Sequence, residues 1–169
     1  MSHSNTSALA ISRGVLRVLI VLNVIAGLFV LGLLFATYVA EDFVVEALAR
    51  NPVSGEAVSV TAMRLIMVIG VASFPLAHIL FSRLLAIVDT VRLGDAFTMR
   101  NAGRLRACAW AVLGLEGMHV LVGIVAAALP FDLNWEFSPI GLLAVLLLFV
   151  LAQVFTEGAR MRDDLEGTV

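Results

Sequence analysis

Four long apolar blocks, separated by short polar stretches, set the pattern of this chain. Val18–Ala40 runs 23 residues without a charge, and Leu65–Ser82 runs 18 with His78 taken as neutral. Ala107–Leu129 is 23 residues long and carries Glu116 and His119; Pro139–Thr156 is 18 residues long and holds nothing more polar than Gln153. A hydrocarbon core of about 30 Å needs roughly 20 helical residues to cross it. In lipid the backbone must satisfy its own hydrogen bonds, which leaves helices or closed barrels, and the period-2 alternation of barrel strands is missing here. The pattern therefore predicts an all-α integral membrane protein with four transmembrane helices in an antiparallel bundle. The expected helices lie at about 15–40, 61–89, 104–129 and 139–158, in one domain over 15–158, with 1–14 and 159–169 as flanking segments. The first block exceeds the 7–15 residue core of a cleaved signal peptide. Ala36 and Tyr38 also fail to make a small-x-small cleavage site, so the block is read as a retained helix.

Composition narrows the classes further. Of 169 residues, 61% are hydrophobic and 14% charged, with a mean hydropathy of +1.03. Disorder, collagen and a disulfide mini-protein are excluded, and a single cysteine, Cys108, makes no internal disulfide. A net charge of -2 argues against direct nucleic-acid binding by bulk charge. All 11 basic residues are arginine, and their placement is lopsided. Arg13, Arg17, Arg92, Arg100, Arg104, Arg106, Arg160 and Arg162 fall on one side of the four blocks. Arg50 and Arg64 fall on the other, with Glu41, Asp42, Glu46, Glu56, Asp132 and Glu136. The positive-inside rule then places both termini in the cytoplasm.

The connections carry their own signals. Between the first two blocks, Asn51-Pro52 and Ser54-Gly55 are turn pairs. Residues 42–50 have apolar positions 43, 44, 47 and 48, which suits either a short interfacial helix or an extension of the first helix. Trp135 and Phe137, in the second outer loop, suit an interfacial aromatic belt. In the cytoplasmic connection, Gly94 is placed to end the second helix in the left-handed conformation. Thr98 is placed to cap the third helix, and Phe97 before it to fold back as a staple. Arg100, Arg104 and Arg106 are expected to form a basic stripe facing lipid headgroups. The stretch reads either as a hairpin whose charges set topology or as a docking surface for a cytoplasmic partner.

Two stretches resemble a known family. Gly94-Asp-Ala-Phe97-Thr-Met-Arg-Asn101-Ala-Gly-Arg-Leu-Arg106 is similar to its "Gly-x-Pro-Phe-x-x-x-Asn-x-x-Arg-Leu" hairpin. Phe155-Thr-Glu-Gly158-Ala-Arg-Met-Arg-Asp-Asp-Leu-Glu166-Gly-Thr-Val169 is similar to its tail, "Phe-x-x-Gly-x-x-Leu-x-x-Asp/Glu … Thr-Val/Ile". The family is domain of unknown function 2975, small bacterial proteins with four membrane helices. Ala96 stands where the family often has proline, and Met161 where it has leucine. The resemblance implies a bacterial inner-membrane protein. It brings no activity, and it implies a cytoplasmic partner, a small helix-turn-helix regulator being the candidate. On that basis Phe97, Arg100, Asn101, Arg104, Arg106 and Gly158 are the candidate docking residues.

Ionisable groups in lipid are costly and are functional candidates. His78 and Glu116 each fall roughly 16 Å from the inner helix ends at 1.5 Å per residue, so the two are expected to face each other. His119, three residues on, shares the face of Glu116. Pro75 removes a hydrogen bond to the carbonyl of Val71. Three readings of His78, Glu116 and His119 stand: helix pinning, a metal or proton site, and a b-type haem with two axial histidines. No phosphate loop, cysteine cluster or serine triad pattern occurs. The sequence thus leads to a non-catalytic membrane protein without a cofactor, acting in regulation or interaction. A membrane redox or metal protein is the alternative, and a homo-oligomer is left open.

Overall fold

The structure, a computed structural model, describes residues 3–50, 60–129, 135–136 and 139–166, and side chains over 9–46, 60–129, 135–136 and 139–165. The turn pairs at 51–55, and Phe137, lie outside the described residues. Five helices follow in order: α1 (His3–Val39), α2 (Glu41–Arg50), α3 (Val60–Arg92), α4 (Met99–Ala128) and α5 (Pro139–Glu166). No strand occurs among the described residues. Helices α1, α3, α4 and α5 are each long and apolar enough to cross a membrane. Over residues 9–39 most apolar side chains of α1 are exposed, as on a lipid-facing surface.

All four long helices overrun the expected spans, α3 (Val60–Arg92 against 61–89) the least. α1 starts at His3 rather than near 15, α4 at Met99 rather than 104, and α5 continues to Glu166 rather than stopping near 158. Hydropathy marks where lipid ends, but a helix ends only at a breaker or a cap, and residues 159–166 contain neither proline nor glycine. Residues 159–166 of the tail are therefore the last two turns of α5. Beyond α1, the two options for residues 42–50 resolve as a separate short helix, α2, after a one-residue bend at Ala40. Pro75 sits inside α3 without ending it.

The helices touch in sequence order. α1 packs on α3, α3 on α4 and α4 on α5, while α1 makes no substantial contact with α4 or α5 among the described residues. Among the described residues each long helix thus makes substantial contact only with the long helix next to it in sequence. Rising positions on one helix meet falling positions on the next: Arg13 with Asp89, Asn23 with Phe74 and Thr37 with Arg64. The next pair repeats this with Asn101 against Thr90 and Cys108 against Leu80. α3 therefore runs antiparallel to both α1 and α4. The buried residues gather on α4, at Leu105, Cys108, Ala109, Ala111 and Gly123, because α4 is flanked on both sides. Small side chains there let both neighbours approach closely.

Three polar contacts fasten α1 to α3. Asn23 Nδ2 donates to the carbonyl of Phe74 (3.1 Å), the residue before Pro75. Arg64 donates from Nε to Thr37 Oγ1 (3.3 Å) and from Nη2 to the Thr37 carbonyl, lies 4.3 Å over the Tyr38 ring, and approaches Glu41 to 3.4 Å. One guanidinium thus caps the end of α1, where backbone carbonyls lack partners, and ties it to α2. At the other end Arg13 Nε lies 3.0 Å from the Asp89 carboxylate, an ion pair without a hydrogen bond from Nε.

Candidate functional site

The most developed polar site is at the turn between α3 and α4. The Asp95 N–H donates to the Thr90 carbonyl (3.2 Å) and the Gly94 N–H to the Val91 carbonyl (3.1 Å). These are the two bonds of a Schellman motif. Gly94 adopts φ +90°, a conformation that costs glycine nothing and other residues strain. Thr98 caps α4, its side chain accepting from the Asn101 N–H (3.2 Å). The turn signals in the sequence are therefore realised as expected.

Asn101 holds the turn together. It is fully buried. Its Nδ2 donates to the carbonyls of Ala96 (2.9 Å) and Asp95 (3.3 Å). Its Oδ1 accepts from Arg104 Nη1 (2.8 Å) and lies 2.9 Å from Thr90 Oγ1. Two donors and two acceptor positions are all used, so the amide is saturated. Arg104 Nη1 also reaches the Ala86 carbonyl (2.8 Å) and Thr90 Oγ1 (3.1 Å). This corrects the expected basic stripe: Arg104 turns inward across α3, while Arg100 and Arg106 remain exposed. Arg104 shares a face with Asn101 three residues earlier, and that face meets α3.

The hairpin and the end of α5 meet each other. The ring of Phe97 lies 4.9 Å from that of Phe155. A methyl group added at Gly158 would come within 2.9 Å of Phe97 Cδ1, so the bare glycine is what seats the ring. Arg162 Nη1 donates to Asp95 Oδ1 at 2.9 Å. Phe97, Asn101, Arg104 and Gly158, all singled out as docking candidates, thus make intramolecular contacts. Phe97 folds back as expected, onto α5.

The three intramembrane candidates are not brought together. His78 is exposed on α3. Glu116 reaches the other way, to α5, where a Cβ at Gly141 would collide with its carboxylate. Gly141 lies in the first turn of α5, the end of a helix that favours negative charge. His119 stacks on Trp135 at 5.5 Å between centroids, with Nε2 3.3 Å from the Glu136 carbonyl, and Trp135 Nε1 donates to the His119 carbonyl (3.0 Å). The expected His78–Glu116 pairing fails because Leu76 of α3, not His78, faces α4 near this depth, against Gly114. No group of three or more His, Cys, Asp or Glu able to hold a metal occurs among the described residues.

The sequence reasoning missed the Arg64–Thr37 cap, the Asn23–Phe74 bond and the Thr90–Asn101–Arg104 network. A usable signal existed for the network: Thr90 and Asn101 flank a glycine turn, and paired polar residues at the start of an otherwise apolar hairpin are good candidates to bond across it.

No protein-family model, curated protein or solved structure matches the chain. What the fold shows is four helices long and apolar enough to cross a membrane, the composition of a multi-pass membrane protein.

Proposed function

We propose that this is a non-catalytic protein of the bacterial inner membrane, with both ends in the cytoplasm, that presents a rigid cytoplasmic platform to a soluble partner. The observation that carries this is the state of the hairpin end. The turn and the last turns of α5 are fastened by Asn101, Phe97 and the Asp95–Arg162 pair. Yet Leu93 is 80% exposed and Leu165 72%, and Met161 is also open. Leu93 lies past the apolar block that ends at Ser82, and Met161 and Leu165 lie past the one that ends at Thr156, so the hydrocarbon core does not account for their exposure. Apolar surface left in water marks an interaction site. The arginine placement supports the orientation. The resemblance to the domain of unknown function 2975 family supports a small helix-turn-helix regulator as the partner. The fastened residues preorganise the surface, and the exposed ones contact the partner.

The test is site-specific photo-crosslinking from positions 93 and 161 in native membranes. A discrete adduct with a small soluble DNA-binding protein is expected. Adducts confined to lipid or to a second copy of the chain contradict the proposal.

A further inference from the structure

Between α4 and α5, near the arginine-rich end, lies an open cleft of ≈ 270 Å³ lined by Met99, Ala102, Gly103, Arg106, Thr156 and Arg160. Its two charged lining residues are both arginines, from different helices. Arg106 makes no hydrogen bond or ion pair with any described residue, and Arg160 is held only loosely by Glu157, at 3.6 Å. Glu157 does not line the cleft. The floor is small: Ala102 and Gly103 supply no bulk, and a Cβ at Gly103 would meet open space. Arg106 lies seven residues into α4 and Arg160 six before the end of α5. At 1.5 Å per residue each guanidinium stems from roughly 10 Å inside its helix end, where the apolar blocks give way to polar sequence. Guanidinium groups match phosphate oxygens in geometry and charge, and basic pockets between helices at this level of a membrane suit anionic headgroups.

We propose that this cleft binds a phosphate-bearing group, carried by an anionic phospholipid headgroup or by free phosphate. Arg106 and Arg160 clamp the phosphate, and the missing side chain at Gly103 leaves the room it occupies. The site is separate from the Asn101 network, whose Arg104 is engaged on the opposite neighbour, α3.

The test is native mass spectrometry of the detergent-purified full chain loaded with phosphatidylglycerol or phosphatidylcholine. The wild-type chain is expected to retain phosphatidylglycerol about fivefold or more over phosphatidylcholine, roughly the contribution of one interfacial arginine. Arg106→Gln removes a charge and keeps the space, while Gly103→Leu fills the space and keeps the charges. Each is expected to reduce the preference about fivefold, the share of one arginine, whereas Arg100→Gln, outside the cleft, keeps it. Retention in excess inorganic phosphate assigns the site to the lipid, and displacement assigns it to the free ion. Equal retention of the two lipids by the wild-type chain, or a preference unchanged in both Arg106→Gln and Gly103→Leu, overturns the proposal.

Discussion

Single residues account for most of the specificity of this fold. Asn101 is buried with all four of its hydrogen-bonding positions used. Asn101→Leu strands two backbone carbonyls and removes a partner from Arg104. Leaving buried groups unsatisfied costs about 1–3 kcal/mol, so a loss of that order is expected in detergent unfolding; an unchanged unfolding midpoint contradicts the role given to Asn101. Gly141 offers a paired test. Gly141→Ala drives a methyl into the Glu116 carboxylate, an overpacking expected to cost about 1–3 kcal/mol. Combining it with Glu116→Ala should recover most of that, and a double-mutant cycle reads the coupling. At this scale the sequence was legible where chemistry is local. Gly94 and Thr98 announce a left-handed turn and a cap within a few positions of themselves. The partner of Arg104 was not legible, because which carbonyl of α3 it meets depends on helix register across the turn. The neighbours of Glu116 and His119 were not legible for the same reason: depth along a helix can be counted from sequence, but the neighbour that each face meets cannot.

The helices themselves were readable from length and hydropathy, their ends less so. α1, α4 and α5 run past the apolar blocks because nothing in the flanking sequence breaks them. The consequence for α5 is that its final turns are not a free tail but a strut seated on the hairpin through Gly158, Phe97 and Phe155. Gly158→Leu should lift that strut, and amide hydrogen exchange over residues 159–166 should accelerate strongly. Asp95→Ala should change it little, since the Asp95–Arg162 pair is half exposed and such pairs contribute about 0.2–1 kcal/mol. Equal effects of the two substitutions would show that charge, rather than the aromatic seat, holds the strut.

For the whole molecule, the order α1–α3–α4–α5 gives each outer long helix one long neighbour among the described residues. The apolar blocks predicted four helices and their order; they could not say whether the outer helices meet, since lipid and protein cover apolar side chains equally well. The separation of His78, Glu116 and His119 has a consequence at this scale too. The purified protein is expected to show no Soret band and no stoichiometric metal, and either finding would revive the redox or metal alternative. The account as a whole rests on four crossings with the hairpin and the end of α5 on one side. Impermeant thiol labelling of whole cells tests it most directly, with Cys108 replaced by alanine and single cysteines at Phe43, Leu93 or Leu165, all exposed side chains. Position 43 should label in intact cells, and positions 93 and 165 only after the membrane is opened; labelling of 93 or 165 from outside, or protection of 43, would contradict the account.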